Sequence, residues 1–247
     1  MNEADNLTIN GPSSITIGAL TGDLNTPGSN PEPSSYWLHD APAGDFTATV
    51  KISGGMTEDF VKAGILIYKD LGNTVSVVRR AHSHLGGNVF GMYQYITTWD
   101  ENAVEDPNPQ QDAYLKIEKS GSEFKGYYSF DGETWIDAGT KTNAAIGAAD
   151  ALKVGVYAVD GDNVVTPHKI TFEEFTINGE AVPFAASGEN VPLERIELNK
   201  TSITLYKGDS AELTAKPVPS YAANVDIKWE TSNAQVAAVK DGLVEAV

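Results

Sequence analysis

Apolar and polar residues alternate in twos along most of the chain. Phe46-Thr47-Ala48-Thr49-Val50-Lys51-Ile52 places Phe46, Ala48, Val50 and Ile52 on one face, the period of a half-buried strand. Residues 63–68 form instead a nearly continuous apolar run, the pattern of a strand covered on both faces. Further strands are predicted over residues 74–80, 89–97, 113–119, 124–130, 152–159 and 169–177. Turn signals separate them, among them Ser53-Gly54-Gly55, Leu71-Gly72-Asn73, Leu85-Gly86-Gly87-Asn88, Asp131-Gly132 and Asp160-Gly161-Asp162. Helical periodicity is nearly absent. Residues 57–60 are expected to form one helical turn, and residues 144–150 a short helix or loop. Many short strands with Gly, Asn and Asp turns imply an all-β fold of antiparallel sheets.

The pattern changes near Pro183. Phe184-Ala185-Ala186-Ser187-Gly188-Glu189-Asn190 is small and polar, as a linker is. Short strands are predicted beyond Pro192, at residues 193–198, 202–206, 210–216, 226–230 and 236–240. The expected organisation is a large sandwich over residues 1–182, a linker over 183–192, and a small sandwich over 193–247.

Several segments, taken in order, resemble the concanavalin A-like (laminin-G-like) β-sandwich, or jelly roll, attached to bacterial glycoside hydrolases. They are Ala41-Pro42-Ala43-Gly44-Asp45-Phe46, Ala63-Gly64-Ile65-Leu66-Ile67-Tyr68-Lys69-Asp70, Tyr127-Tyr128-Ser129-Phe130-Asp131-Gly132-Glu133-Thr134-Trp135, Val154-Gly155-Val156-Tyr157-Ala158 and Ile170-Thr171-Phe172-Glu173-Glu174-Phe175. Among such modules the C-terminal domain of family 43 β-xylosidases is the nearest in pattern. Residues 191–247 resemble the bacterial immunoglobulin-like domain of group 2. The matching words are Leu205-Tyr206-Lys207-Gly208-Asp209, Ile227-Lys228-Trp229-Glu230-Thr231-Ser232-Asn233 and Val236-Ala237-Ala238-Val239. That family's last strand has no counterpart here, so a sheet edge is expected to be either defective or covered by something else. The resemblances imply a fragment of a larger secreted or cell-surface bacterial enzyme. Its partners would be an oligo- or polysaccharide and the parent's catalytic domain.

Composition narrows the chemistry. The 247 residues include no cysteine, which removes disulfides, thiolate metal sites and cysteine nucleophiles. Seventeen basic residues against 34 acidic ones give a net charge of −17. That charge argues against nucleic acid and against anionic membrane surfaces as partners. No apolar run reaches the ~18 residues of a membrane-spanning helix.

No catalytic constellation emerges. Glycosidases need two carboxylates across one bond. Glu173 and Glu174 are adjacent and so point to opposite faces of a strand. Glu101, Glu105 and Asp106 fall in a Pro/Asn/Gln-rich stretch that reads as loop. The chain is therefore expected not to be an enzyme by itself.

The richest constellation is aromatic and polar. On strand 74–82, Val75 and Val77 should face the core, leaving Thr74, Ser76, Val78, Arg80 and His82 on the other face. On strand 89–99, Tyr93, Tyr95, Thr97 and Trp99 share a face. A sugar ring needs a flat aromatic to stack on and paired donors and acceptors at its edge. Arg80, His82, Tyr93, Tyr95 and Trp99 supply that mixture, with Tyr36 and Trp37 as a second patch. The bland alternative is that tyrosines and tryptophans cap the core, as Tyr128 and Trp135 are expected to do. His82-Ser83-His84 reads as two surface histidines rather than a metal pair. Asp160-Gly161-Asp162-Asn163 offers three oxygen-bearing side chains, a candidate structural calcium site with Asp23 and Glu173 or Glu174 as further ligands. The same four residues also read as an ordinary Asp-Gly turn. No other cofactor is expected.

Overall fold

The computed structural model describes residues 7–21, 36–53, 56, 59–70, 72–82, 87–95, 99–160, 168–184, 193, 195–218 and 227–247. The chain divides into two compact units, Met1–Ala185 and Ala186–Val247.

The described part of the first unit is built almost entirely of strands. In chain order they are β1 (Leu7–Gly11), β2 (Ser14–Thr21), β3 (Tyr36–Asp40), β4 (Phe46–Ser53), β5 (Val61–Asp70), β6 (Asn73–His82), β7 (Gly87–Tyr95), β8 (Trp99–Glu101), β9 (Val104–Glu105), β10 (Ala113–Ser120), β11 (Glu123–Ser129), β12 (Ile136–Thr142), β13 (Lys153–Asp160), β14 (His168–Ile177) and β15 (Glu180–Ala181). One short helix, α1 (Ala144–Gly147), interrupts them. Asn143 caps it, its side-chain oxygen accepting from the Ile146 amide at 3.0 Å, and Ile146 is buried.

Two layers result. One runs β12-β11-β10-β4-β14-β2, with β1 on β2 and β15 on β14; the other runs β13-β5-β6-β7, with β3 on β13 and both β8 and β9 on β7. Strand β2 joins them, pairing antiparallel with β14 and, through Leu20 and Thr21, parallel with β13. Every other pairing in this unit is antiparallel. Between the layers lies one continuous core. Ile15, Ile17, Val50, Ile52, Leu115, Ile117, Phe124 and Phe172 from one sheet meet Val61, Ile65, Ile67, Val75, Val77, Phe90, Met92, Val154 and Val156 from the other. Each such side chain contributes roughly 1.5–3 kcal/mol by leaving water. Phe90 and Tyr128 stack nearly parallel across the layers, with ring centroids 4.0 Å apart.

Strand β4 alternates as its sequence predicts, with Phe46, Ala48, Val50 and Ile52 buried. Strand β5 is buried without interruption from Val61 to Ile67, as its apolar run predicts. Its second layer of cover is particular. On the face of the β13-β5-β6-β7 sheet turned away from the core, Leu66, Val78, Tyr93, Tyr157 and Val159 form a separate buried cluster, edged by Tyr36, Leu38 and Tyr68. Here β5 and β6 approach closely: a Cβ added at Gly64 would lie 2.0 Å from the Val77 carbonyl oxygen.

Of the strand predicted over residues 89–97, residues 89–95 belong to β7 and 96–97 lie outside the described residues, while Trp99 pairs antiparallel with Tyr95. Two expectations need correction. The polar stretch after that strand is not plain loop, since β8 and β9 both pair with β7. Trp135 does not cap the core. It sits with Tyr127 on the outer face of the other sheet, and the Lys116 ammonium lies 4.8 Å and 4.3 Å from the two ring centroids. That placement follows from the register, in which Lys116 is directly opposite Tyr127 on the solvent side. Of the predicted helical turn at 57–60, residues 57 and 58 lie outside the described residues. Phe60 has a left-handed backbone, φ 65°, and donates its amide to the Ala81 carbonyl at 2.9 Å.

The second unit contains β16 (Arg195–Leu198), β17 (Ser210–Glu212), β18 (Ala215–Val218), β19 (Ala237–Lys240) and β20 (Leu243–Ala246). They form a pair, β16-β18, and a triplet, β17-β20-β19, all antiparallel. Residues 202–206 and 227–230 are irregular rather than extended in strands, and 210–216 divides into two strands. Among the described residues of this unit no apolar side chain is buried; Ile196, Leu198, Val236 and Leu243 are all more than 40% exposed.

Candidate functional site

Strand β6 carries two adjacent arginines, and alternation sends them to opposite faces. Arg79 turns inward and is fully buried. Its Nε donates to Asp106 Oδ2 at 2.8 Å, Nη1 to the Gln111 carbonyl at 2.6 Å and Nη2 to the Asn108 carbonyl at 2.8 Å. The guanidinium also lies 5.3 Å from the Phe90 ring centroid. One side chain thus pins the whole return segment from Asp106 to Gln111 onto the sheet.

Arg80 turns outward. Its Nη1 donates to the Tyr93 hydroxyl at 3.3 Å and to Glu101 Oε2 at 3.2 Å. Tyr93 and Glu101 are register partners on β7 and β8, so the pairing of β8 with β7 delivers the carboxylate that Arg80 meets. On the other side, Lys62 of β5 is the direct register partner of Arg80. Both cations approach one ring: Lys62 Nζ is 5.8 Å and the Arg80 guanidinium carbon 5.6 Å from the Tyr93 centroid. Burial pushes the Tyr93 phenol upward in pKa, and the Arg80 hydrogen bond opposes that shift. Further along the face, Ser76 and the Tyr157 hydroxyl share a 3.0 Å hydrogen bond, and Tyr36 stacks with Tyr68 at 6.2 Å. Arg80 Nε is buried without a hydrogen-bond partner.

Of the residues singled out from the sequence, Arg80, Tyr93 and Tyr95 share this face, and Tyr36 edges the cluster. Trp37 does not join them. It turns to the core, edge-on to Phe175 and Phe184 at 5.6 and 4.9 Å. The backbones of His82 and Trp99 close β6 on Gly87 and β8 on Tyr95, while their side chains lie outside the described residues. Lys62, Glu101 and Tyr157 were not anticipated. A lysine inside the apolar run Val61-Lys62-Ala63 was the available signal for Lys62.

For the candidate calcium site, Asp160 is the buried last residue of β13, whereas Asp23, Asp162 and Asn163 lie outside the described residues. Glu173 is on β14, where it accepts from Lys51 Nζ at 3.0 Å and from Ser53. Those bonds hold its carboxyl below the usual range. Among the described residues no three His, Asp or Glu side chains gather as a metal cluster.

A two-layer antiparallel sandwich with this strand order is a concanavalin A-like fold. The family model described as "Beta xylosidase C-terminal Concanavalin A-like domain" matches residues 19–178, and the chain belongs to that family. The family is the C-terminal domain of beta xylosidases, and the match includes no catalytic domain. Among solved structures, a GH43 protein from Bacillus licheniformis aligns with TM-score 0.62 at 15% identity, over 72% of this chain and 35% of its own. A xylan beta-1,4-xylosidase from Bacillus halodurans aligns with TM-score 0.54 at 16% identity, over 67% of this chain and 32% of its own. A protein of unknown function from Saccharomyces cerevisiae aligns with TM-score 0.55 at 17% identity, over 71% of this chain and 97% of its own. The chain thus spans about a third of the two bacterial proteins, and the likeness is one of fold. No curated protein matches. Among the described residues no helix is long and apolar enough to cross a membrane.

Proposed function

We propose that the first unit is a non-catalytic carbohydrate-binding module of a larger glycoside hydrolase, binding through the outer face of the β13-β5-β6-β7 sheet. The observation that carries this reading is the set of partly exposed rings, Tyr36, Tyr68 and Tyr95, that edge the buried Arg80–Tyr93 cluster on this face, with the partly exposed Glu101 carboxylate that Arg80 holds. Sugars are held by such mixtures, rings for the apolar faces and charged or amide groups for the hydroxyls. The second unit serves as an immunoglobulin-like spacer, a reading supported by its short antiparallel strands and by the resemblance over residues 191–247. Export by a bacterium follows from the same resemblance.

A glycan array followed by isothermal titration tests the proposal. Binding at micromolar to millimolar sugar, abolished by Arg80→Ala or Trp99→Ala without unfolding, is the expected outcome. A second reading, a structural or adhesion module that packs on a catalytic domain or a host protein without binding sugar, is favoured by the family itself, which is defined as the C-terminal domain of a longer enzyme. No sugar binding together with tight association to the parent's catalytic domain would support that one.

A further inference from the structure

We infer that the outer face of the other sheet, around Trp135, is a second saccharide site, one that takes a neutral oligosaccharide chain. The inference goes beyond the Arg80 reading and concerns a different sheet. The site has an aromatic half and a polar half. In the aromatic half, Tyr127 and Trp135 flank the Lys116 ammonium, which takes one face of each ring, and both rings remain partly exposed. Neither ring is among the partly buried ones that pack against the core. The turn before Trp135 is fixed in advance. Asp131 accepts from the Glu133 and Thr134 amides at 2.8 and 2.7 Å and from the Ser129 hydroxyl at 2.8 Å. A ring presented by such a turn needs little further ordering when a ligand stacks on it.

The polar half begins two residues along β10 from Lys116, about 7 Å away, at Glu118. Glu118 lines an open cleft with Asp45, Thr47, Ser120 and Asn178, all of which reach solvent. It also joins the halves: Oε2 accepts from the Tyr127 hydroxyl at 3.2 Å, and Oε1 meets Lys116 Nζ at 2.9 Å. An ionised carboxylate has about four acceptor sites, so it can take sugar hydroxyls besides these two partners. Rings for the apolar face of a sugar, beside oxygens and an amide for its hydroxyls, are the mixture that saccharide sites need. Charge argues for a neutral chain. The outward lysines of this sheet, Lys51, Lys116 and Lys125, are each paired with a carboxylate. In the cleft the Asp45 and Glu118 carboxylates reach solvent, whereas the Lys119 ammonium is buried and donates to the Gly44 carbonyl at 3.0 Å. An acidic sugar would meet like charges there. A cationic sugar would have to displace Lys116 from Glu118.

The test titrates the full-length chain with xylohexaose and cellohexaose as uncharged probes, and with a uronate and a glucosamine oligomer as charged ones. Calorimetry reads total binding. Two-dimensional NMR reads the site itself through the Trp135 indole N–H, assigned by its loss in Trp135→Phe. The neutral probes should bind and move that resonance, and the charged probes should bind more weakly. Trp135→Ala should weaken binding at this site about tenfold, as truncation of an aromatic anchor does. Should Trp135→Ala fail to fold, the resonance in the parent still decides. A resonance that stays still while calorimetry records binding overturns this site and leaves the Arg80 reading in place. A resonance that moves as far in folded Arg80→Ala as in the parent supports this site even where the Arg80 reading fails. Tighter binding of either charged probe at Trp135 overturns the neutral assignment. Absence of binding to every saccharide overturns this inference and the Arg80 reading together.

Discussion

Arg79 and Arg80 are consecutive residues with opposite surroundings: the first is closed on Asp106 and two backbone carbonyls, and the second meets Tyr93 and Glu101 while its buried Nε has no hydrogen-bond partner. The inward residue holds the segment from Asp106 to Gln111, and the outward residue meets Glu101 on β8. Two consecutive residues thus make ion pairs on opposite faces of β6, one with buried Asp106 and one with Glu101.

Breaking that ion pair should be costly. Arg79→Met leaves Asp106 buried without its cation, and loss of one partner of a buried pair destabilises by about 3–5 kcal/mol. Replacing both residues, Arg79→Met with Asp106→Leu, should recover much of the loss, because the isolated charge is gone. Urea unfolding of the two single variants and the double variant measures this. Strictly additive losses would show that the two groups do not act as a pair.

The close approach of β5 and β6 gives a second expectation. A methyl group at Gly64 would meet the Val77 carbonyl oxygen at 2.0 Å, and a backbone atom cannot swing aside as a side chain can. Gly64→Ala should destabilise by about 1–3 kcal/mol, as overpacking does. A thermal melt within 1–2 °C of the parent, where roughly 2–4 °C per kcal/mol applies at this size, would contradict the tight packing.

Acid should loosen the opposite sheet in a defined window. The Ser53 hydrogen bond and then the Lys51 ammonium lower the Glu173 carboxyl below its ordinary value of 4.5. A depressed carboxyl stabilises the fold fully above its unfolded pKa, and that contribution is lost as pH falls through the folded value. Glu173→Gln should therefore remove part of the stability difference between pH 7 and pH 3. The pair is partly exposed, so the amount should be no more than about 1 kcal/mol. Chemical denaturation at the two pH values reads it; an unchanged pH dependence in the variant would refute the coupling.

The two units should differ in protection. The first has a continuous core, whereas the second has no buried apolar side chain among its described residues. Hydrogen exchange should be slow for amides of β5, β6 and β13 and at least about a hundredfold faster across β16 to β20, as low local burial implies. Comparable protection in both units would mean that the second has a core of its own.

The sandwich was legible because its strands alternate or run apolar in ways that burial enforces. Residues 46–52 and 63–68 announce one covered face and two covered faces, and β4 and β5 have them. The grouping of Arg80 with Tyr93 and Tyr95 followed from the same period of two. What stayed hidden depends on contacts between distant residues. Proline and asparagine at 107–109 look like loop residues, yet Arg79 binds the Asn108 carbonyl there, and β8 and β9 just before them pair with β7. Trp37 and Trp135 were misassigned because an aromatic ring suits either face of a half-buried strand. Pairing sends Trp37 to the core and places Trp135 beside Lys116.

The central claim is that the outer face around Arg80 binds sugar. Isothermal titration of an array-identified oligosaccharide into the full-length chain and into Arg80→Ala, with thermal melts of both, tests it most directly. The prediction is saturable binding by the parent, affinity lowered at least about tenfold in the variant as expected for loss of a charge-assisted contact, and a melt that stays cooperative. Equal affinity in a folded Arg80→Ala protein would contradict it.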